Sequence, residues 1–415
     1  MSRASVSINP TRLNRSLEEL GRIGETPQGM QRLAYSPDDV AGREYVMGLM
    51  RLVGLETRID PAGNIIGRKE GSAPGLPAIA LGSHTDTVPS GGKYDGALGV
   101  LAAIECAQAL SDSGSSLRHP LEVLVFTNEE GTRYHRWLLG SRAMAGLLEP
   151  ADLTAVDDEG VPLSARLPEI GGDLSRIGEA QRGPGDLSAY LELHIEQGPS
   201  LEQSGNSIGV VTGITGRIVL EVQVNGTANH AGTTPMTARH DALVSASKLV
   251  IAAQRVATAQ EICRVATVGS IQAQPNAVNV VPGAVRLGVE FRDVDMASLA
   301  AAEAFFRDEA GQVEAADGVT VEVERQEATK AVAIGPGMQA LVQEAAEGCG
   351  LSLQRLPSGA GHDAQAMAAI TQAAMIFVPS VAGISHSPQE YTSPTDCANG
   401  ARVLLNLLLL ADQRL

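Results

Sequence analysis

The chain has 415 residues, 44% of them hydrophobic, so it is long enough to form two packed domains. Its formal net charge of -17 at pH 7 argues against nucleic acid or an anionic membrane surface as a partner, because phosphate binding needs clustered Lys and Arg. We find neither a long uncharged apolar segment nor the residue order of a signal peptide. These features predict a cytoplasmic protein without nucleic-acid or membrane partners.

The N-terminal part is predicted to begin with two helices. Asn9 supplies an N-cap to the first helix, and Ser36 supplies one to the second, which Gly54 ends. The residues from Thr57 to Lys69 then predict a β-hairpin around an Asp-Pro-Ala-Gly turn.

The stretch from Leu81 to Val100 carries the first candidate site residues. A short uncharged apolar run, Leu76 to Leu81, predicts a strand that is buried on both faces. His84 and Asp86 follow it, and on an extended chain their side chains point to the same side. The carboxylate can then hold the imidazole in one tautomer while the other ring nitrogen binds a metal.

Asp95 precedes a predicted helix, Ala97 to Leu110, whose N-terminus stabilises a negative side chain. An alternative interpretation is a turn in which the Asp and His side chains cap the helix and satisfy loop amides. This stretch taken alone leaves both interpretations open.

A second buried strand is predicted from Leu121 to Thr127, and Glu129 and Glu130 follow it. Adjacent side chains at a strand end point in opposite directions, so one carboxylate can bind a metal while its neighbour reaches the bound water. A solvated pair of glutamates is the ordinary alternative.

Two further histidines follow predicted strands. His194 lies near the end of a strand from Leu187 to Glu196, on one face with two glutamates, and is either a structural residue or part of a metal cluster. His386 lies in a turn-rich loop after a strand from Ala374 to Val378, where ligands of open sheets collect.

The pattern changes near residue 213, where apolar and polar residues begin to alternate. The predicted order from there is strand, helix, strand, strand, helix, strand, which is the order of a ferredoxin-like α+β unit. We therefore predict an α/β catalytic domain with a mixed central sheet flanked by helices, formed by residues 1–212 and 329–415. Residues 213–328 are predicted to form an inserted lid or dimerisation domain.

The candidate site residues gain weight when they are considered together. Imidazole and carboxylate donors suit two Zn²⁺-like ions, and no thiolate is needed. Two such ions need a bridging carboxylate and a positioned water, and Asp95 with Glu129 could fill these roles. The donors are His84, Asp95, Glu130, His194 and His386.

Six motifs occur in order along nearly the whole chain. They are Gly-Ser-His84-Thr-Asp86-Thr-Val-Pro, Gly-Gly-Lys-Tyr-Asp95-Gly-Ala-Leu-Gly-Val, Glu129-Glu130-Gly, His194-Ile-Glu-Gln-Gly-Pro, Asn229-His230-Ala-Gly-Thr-Thr-Pro-Met and Ser-His386-Ser. This set resembles the amidase branch of the dinuclear zinc exopeptidase superfamily. That branch contains N-carbamoyl-L-amino-acid hydrolases, β-ureidopropionases and allantoate amidohydrolases.

The resemblance implies a role for each of these residues. The five donors would bind the two metals, with Asp95 as the bridge and Glu129 as the general base. Asp86 would orient His84. His230 would stabilise the developing oxyanion from the partner subunit of a homodimer. A loop histidine that caps its own turn is the alternative for His230.

The substrate carboxylate needs a cation in this acidic protein. Arg292 and Asn279 match the family's substrate contacts, and an Arg side chain offers a bidentate fork. Gln197 and the backbone of Gly359 to Gly361 are weaker candidates. Arg292 is alternatively a surface charge at a strand end. One segment, Tyr134 to Trp137, departs from the relatives, which carry smaller or differently spaced residues there. This departure affects which substrate side chain we expect the protein to prefer, and it does not affect the expected reaction.

The leading hypothesis is a metal-dependent amidohydrolase that releases amino acid, ammonia and carbon dioxide from N-carbamoyl-L-α-amino acids. Allantoate or N-carbamoyl-β-alanine are alternative substrates for the same machinery. A dipeptidase and a non-catalytic, carboxylate-binding dimeric scaffold are the remoter hypotheses. The ligand types accept Zn²⁺, Mn²⁺, Co²⁺ or Ni²⁺.

Overall fold

The computed structural model describes residues 6–415, so residues 1–5 of the predicted first domain lie outside the described residues. The strands are β1 (Glu25–Thr26), β2 (Gly29–Met30), β3 (Glu56–Ile59), β4 (Ile65–Lys69), β5 (Ala78–His84), β6 (Leu121–Phe126), β7 (Leu187–Ile195), β8 (Ile208–Ile214), β9 (Gly216–Asn225), β10 (Asn229–His230), β11 (Val265–Gln274), β12 (Val280–Val281), β13 (Ala284–Asp293), β14 (Thr320–Thr329), β15 (Val332–Ala333), β16 (Leu353–Ser358) and β17 (Gln372–Val378).

The helices alternate with these strands. The α-helices are α1 (Pro10–Leu20), α2 (Pro37–Leu52), α3 (Ala97–Asp112), α4 (Leu139–Met144), α5 (Pro150–Leu153), α6 (Leu163–Arg166), α7 (Ser200–Ser204), α8 (Ala242–Ala257), α9 (Met296–Asp317), α10 (Pro336–Gly348), α11 (Asp363–Met367) and α12 (Pro394–Arg414). Short 3-10 helices span Leu167–Ile170, Leu174–Ala180, Met236–Ala238 and Val381–Gly383. Among the helices of residues 6–415, none combines the length and the apolar character that crossing a membrane requires.

The described residues divide into two compact units, one formed by residues 6–212 and 334–415 and the other by residues 213–333. In the first unit a mixed sheet has the strand order β8-β17-β7-β5-β6-β4-β3, and β16 pairs with β8. Strands β17, β7, β5 and β6 run parallel, whereas β4, β3 and β8 are antiparallel to their neighbours. Helices flank this sheet, so the predicted fold class is confirmed.

The central strands are apolar because they are buried on both faces. Every residue of β5 and β6 is buried, as in parallel sheets that helices cover. Helix α3 packs on β5 and β7, and helices α10 and α12 pack on β17. This layering brings the carboxyl ends of the parallel strands to one edge of the sheet.

Local sequence signals account for several element ends. The Asn9 side chain accepts a hydrogen bond from the Arg12 N–H at 3.1 Å, and the Ser36 hydroxyl accepts one from the Asp39 N–H at 3.1 Å, as their positions before α1 and α2 predict. The strand predicted over Leu351 to Leu356 begins two residues later. Leu351 lies beyond α10 but is bonded to its last turn, because its N–H donates to the Ala346 carbonyl at 3.2 Å.

The second unit has the sheet order β11-β13-β9-β14, and each neighbouring pair is antiparallel. Numbered in chain order, this is the 2-3-1-4 arrangement of a ferredoxin-like unit, with α8 and α9 as its helices. The apolar residues of β9 alternate with polar ones and form a core with both helices. Strand β14 continues to Thr329, and this compact unit extends to residue 333.

Candidate metal centre and active site

The candidate metal ligands of the first unit follow the carboxyl ends of its parallel strands. His84 is the last residue of β5, and His194 is the penultimate residue of β7. Glu130 follows β6, and His386 lies in the loop after β17. Asp95 precedes α3. The sheet topology therefore gathers residues that are as far as 302 positions apart, from 84 to 386.

The carboxylate of Asp95 lies at the centre of this group. Its Oδ1 atom is 3.1 Å from His194 Nε2 and 3.5 Å from His84 Nε2. Its Oδ2 atom is 3.4 Å from His386 Nε2. The two oxygens of one carboxylate therefore face different histidines, which is the arrangement that a bridging ligand requires.

Three groups of side chains bring their ligand atoms within 4.8 Å of one another. The groups are His84 with Asp95 and His194, Asp95 with Glu130 and His386, and His84 with Glu129 and Glu130. Nitrogen and oxygen donors without thiolate suit Zn²⁺ and similar divalent ions. The first two groups share Asp95, so the donor set fits a pair of metal ions with a common carboxylate.

Backbone carbonyls orient the rings of His84 and His194. His84 Nδ1 lies 3.0 Å from the backbone oxygen of Asp86, and His194 Nδ1 lies 2.9 Å from that of Ile195. Because a carbonyl only accepts, each Nδ1 carries a proton, and each Nε2 is the atom that could bind a metal. In this structure the Gly96 N–H donates to His194 Nε2 at 3.2 Å.

The Asp86 carboxylate, which was predicted to orient the His84 ring, lies beside that ring without a hydrogen bond to it. Asp86 Oδ1 is 3.8 Å from His84 Nδ1, which is too long for a hydrogen bond. Strand β5 ends at His84, and the backbone oxygen of Asp86 reaches the ring instead of its carboxylate. That carboxylate accepts hydrogen bonds from the N–H groups of Glu129 and Glu130, at 3.3 and 3.2 Å.

Glu129 and Glu130 lie beside the histidines. Glu129 Oε2 is 3.6 Å from His84 Nε2, and Glu130 Oε1 is 3.5 Å from His386 Nε2. Burial raises the pKa of Glu129 well above its usual range, although His84 opposes the shift. Burial, together with the charge of Asp95, raises the pKa of Glu130 to about 8. A cation among these carboxylates would relieve the cost of keeping them ionised.

Glu390, which is 5% exposed, is a site residue that was not predicted from the sequence. Its Oε1 atom accepts from the N–H groups of Tyr94 and Asp95 at 2.9 and 3.1 Å, and its Oε2 atom accepts from the Ser385 hydroxyl at 2.8 Å. Glu390 follows the His386 motif by a few residues, and this proximity was the available signal. Gln197 Nε2, which was predicted to contact substrate, donates to Asp95 Oδ2 at 2.7 Å.

The two glutamates that flank His194 have separate structural contacts. Glu192 accepts from the Ser83 hydroxyl at 2.8 Å and from the Ala364 N–H at 2.9 Å. Glu196 accepts from the first N–H groups of α7, Ser200 and Leu201, at 2.8 Å each, and so caps that helix.

The loop between β16 and α11 contains Gly359 and Gly361, and it ends beside the candidate metal centre. The His362 ring lies 4.5 Å from the His194 ring, centroid to centroid, in an edge contact. His362 also shares a hydrogen bond of 2.8 Å with the Ser358 hydroxyl. No role was predicted for His362 from the sequence, although it adjoins Gly361.

The second unit, described by itself, contains the other predicted site residues. His230 Nδ1 accepts from the Gly232 N–H at 3.0 Å, so a neutral ring carries its proton on Nε2. The Asn279 carbonyl accepts from the Ala231 N–H at 3.0 Å, next to the pairing of β10 with β12. Arg292 Nη2 donates to Glu290 Oε1 at 2.9 Å.

Comparison with known families agrees with this geometry. The profile of peptidase family M20/M25/M40 matches residues 80–410, a range that includes every candidate metal ligand. The chain belongs to this family. Members of family M20/M25/M40 are metal-dependent, and the Asp95 cluster is the corresponding candidate site in this chain.

Relatives within family M20/M25/M40 are similar over nearly their full length. The chain is 40% identical to the N-carbamoyl-L-amino-acid amidohydrolase of Paenarthrobacter aurescens over 97% of this chain and 98% of that protein. It is 36% identical to the allantoate amidohydrolase of Bacillus subtilis over 94% and 95%, respectively. A crystal structure of an amidase of the hydantoinase/carbamoylase family from Burkholderia multivorans superposes with a TM-score of 0.89, 38% identity and coverage of 98% of this chain and 99% of that chain.

These similarities define the type of reaction. The chain is a hydrolase that acts on C–N bonds of linear amides. The names of both relatives specify a small ureido carboxylate as the substrate of those proteins.

Proposed function

We propose that this amidohydrolase cleaves the carbamoyl C–N bond of N-carbamoyl-L-amino acids and releases the amino acid, ammonia and carbon dioxide. The observation that carries the proposal is the position of Glu129 beside a buried cluster centred on Asp95, with Glu129 Oε2 3.6 Å from His84 Nε2. Relatives with the corresponding names, at about 40% identity, support the choice of substrate.

The metal ligands are proposed to be the five predicted side chains. His84 and His194 would hold one ion, Glu130 and His386 the other, and Asp95 both. Two divalent ions, Zn²⁺ or Mn²⁺, Co²⁺ or Ni²⁺, would supply Lewis acidity toward the carbonyl and lower the pKa of water.

Glu129 is the proposed general base. Its carboxylate removes a proton from the attacking water and delivers that proton to the leaving nitrogen of the substrate. Asp86 holds the backbone N–H groups of Glu129 and Glu130, so it is a positioning residue for the base and for one metal ligand. The water oxygen forms a bond to the carbamoyl carbon, and negative charge develops on the carbonyl oxygen. The bond from that carbon to the amino-acid nitrogen then breaks, and the carbamic acid that is released decomposes to ammonia and carbon dioxide.

Residues of the second unit are proposed to recognise the substrate. The Nε2–H of His230 donates to the carbonyl oxygen as negative charge develops there. The guanidinium of Arg292 and the side chain of Asn279 bind the substrate carboxylate. Gln197 and the backbone of Gly359 to Gly361 add polar contacts.

The proposed assembly is a homodimer in which His230 acts on the substrate held by the partner subunit. Mixed dimers of His230→Ala and Glu129→Gln protomers test this idea, because one of the two sites then contains both intact residues. Partial recovery of activity is expected. Absence of recovery in verified mixed dimers would contradict action across the interface. The cytoplasmic location stays a prediction.

A substrate panel tests the reaction itself. Metal-reconstituted protein is assayed for ammonia release from N-carbamoyl-L-amino acids, allantoate and N-carbamoyl-β-alanine, and for cleavage of unmodified dipeptides. Turnover of the carbamoyl-α-amino acids is expected to be the fastest. Glu129→Gln should keep its metals and lose activity, whereas a non-catalytic scaffold would show no kinetic difference between the two proteins.

Allantoate is the second candidate substrate. The similarity to the allantoate amidohydrolase of Bacillus subtilis favours it, and the same ligands and base would serve. Faster release of ammonia from allantoate than from every carbamoyl-α-amino acid would select this alternative.

A further inference from the structure

The segment between Glu130 and α4 is fastened to the strand end that carries Glu129. The Leu138 N–H donates to the Glu129 carbonyl at 2.8 Å, and the Asn128 side chain donates to the Arg136 carbonyl at 2.9 Å. Trp137 therefore lies between two residues whose backbones are bonded to this strand end. It is the one tryptophan in the sequence.

The Trp137 indole extends from this segment to the glycine loop after β16. A Cβ atom placed on Gly361 would lie 2.2 Å from Trp137 Cζ3 and 3.0 Å from Cη2. The benzo edge of the indole thus rests directly against the backbone of Gly361. A side chain at position 361 would displace the ring.

The glycine loop that Trp137 contacts lies next to the candidate metal cluster. Gly361 precedes His362, whose ring is 4.5 Å from that of His194. Trp137 consequently links the backbone of the proposed base to the loop beside a proposed metal ligand. All of these residues belong to the first unit.

We propose that Trp137 is a specificity-determining residue whose indole contacts the substituent on the substrate α-carbon. This inference rests on the proposed function. The carbamoyl carbon must reach Glu129, and the backbone of Gly359 to Gly361 is proposed to make a polar contact with the substrate, so the bound substrate extends from one to the other. Trp137 spans that interval, and hydrogen bonds of its two neighbours hold its backbone there. The enzyme therefore favours small side chains over bulky ones.

Replacing the indole by a methyl group tests the proposal. In Trp137→Ala, kcat/KM for N-carbamoyl-L-phenylalanine relative to N-carbamoyl-L-alanine should rise about tenfold or more, because the pocket gains volume. Trp137→Phe should give an intermediate ratio. His135→Ala is the matched control, since His135 is exposed in the same segment and pairs with Asp158 at 3.1 Å. An unchanged ratio in folded Trp137→Ala would overturn the proposal.

A second measurement needs no change at Trp137. In metal-loaded Glu129→Gln, indole fluorescence reports on Trp137 alone, and N-carbamoyl-L-alanine should shift its emission and reduce its quenching by acrylamide. Calorimetry establishes saturation independently. Saturation without a change in emission or quenching would refute the contact, even if Trp137→Ala fails to fold. If wild-type protein cleaves no ureido compound, the proposed reaction fails, whereas the fluorescence titration still decides the role of Trp137.

Discussion

The carboxylate of Glu390 accepts a hydrogen bond from the backbone N–H of Asp95 at 3.1 Å, across 295 residues of sequence. Its other oxygen accepts from the Ser385 hydroxyl at 2.8 Å, next to His386. Glu390 thereby fixes the loop of the proposed bridging ligand to the loop of the proposed terminal histidine. A buried carboxylate in this position does not bind the metal itself; it orients the side chains that do.

Removal of this carboxylate should weaken metal binding. Glu390→Ala leaves the N–H groups of Tyr94 and Asp95 without their acceptor, so both loops relax. We expect metal affinity to fall about 10- to 100-fold, measured by competition with a chromogenic chelator. Glu390→Gln retains one acceptor oxygen and should lose less. Gln389→Ala, an exposed neighbour, is the control, and equal affinities in all three variants would show that Glu390 has no such role.

Gly96 should not tolerate a side chain. Its φ is +62°, and a Cβ atom there would lie 2.5 Å from both Cε1 and Nε2 of His84. Gly96→Ala is therefore expected to displace the His84 ring and to lower metal content on purification. It should also lower the free energy of unfolding by about 1–3 kcal/mol, because a non-glycine residue is strained at this positive φ. Elemental analysis and chemical denaturation of the metal-free protein separate the two effects.

A side chain should be tolerated at Gly48, in contrast to Gly96. It lies inside α2 with no atom within 4 Å of an added Cβ. Gly48→Ala should therefore stabilise the protein by about 0.5–1 kcal/mol and leave metal content unchanged. Normal metal content in Gly96→Ala would contradict the predicted clash.

Asp86 should act on the two glutamates and not on the His84 ring. In Asp86→Asn, one acceptor oxygen is replaced by an amide N–H group that faces a backbone N–H of Glu129 or Glu130. We expect kcat to fall at least about tenfold. The His84 Nδ1–H resonance should persist in proton NMR spectra, because the Asp86 carbonyl still accepts from it. Loss of that resonance would show that the Asp86 carboxylate, and not the Asp86 backbone oxygen, holds the His84 ring.

The sequence supported much of the fold and the composition of the candidate site, for identifiable reasons. Period-two alternation marked β9, and short apolar runs marked β5, β6 and β7, since burial on both faces removes polar residues. His84 and Glu130 could be proposed as candidates because His84 ends such a strand and Glu130 follows one. The alternation also indicated the ferredoxin-like order of the second unit.

Contacts between distant loops could not be predicted in the same way. Glu390 reaches Asp95, and Trp137 reaches Gly361, through tertiary packing that no local pattern specifies. The hydrogen bond from the Asp86 backbone oxygen to His84 could not be predicted either, because β5 ends at His84 and the chain beyond it does not follow strand geometry. Local patterns thus indicated candidate site residues, but they did not indicate the contacts that hold those side chains.

Asp39 is expected to make folding stability depend on pH. Its side chain is 3% exposed and accepts from the Tyr35 N–H at 2.8 Å. Burial raises the pKa of Asp39 from 3.8 to about 6, although Arg43 opposes the shift. Because the pKa is higher in the folded state, ionisation is penalised there. The titration of Asp39 therefore leaves the free energy of unfolding unchanged below about pH 4 and lowers it as the pH rises from about 4 toward 6.

Asp39→Asn removes this ionisation while an amide oxygen can still accept from Tyr35. A shift from 3.8 to about 6 corresponds to roughly 3 kcal/mol, so the unfolding free energy of the variant, relative to wild type, should increase by about that amount between pH 4 and pH 7. Denaturant titrations of both proteins across this range, at constant metal concentration, measure the difference. Comparing the two proteins at each pH cancels the titration of all other groups. A difference that stays constant with pH would show that Asp39 remains ionised at no cost in the folded chain.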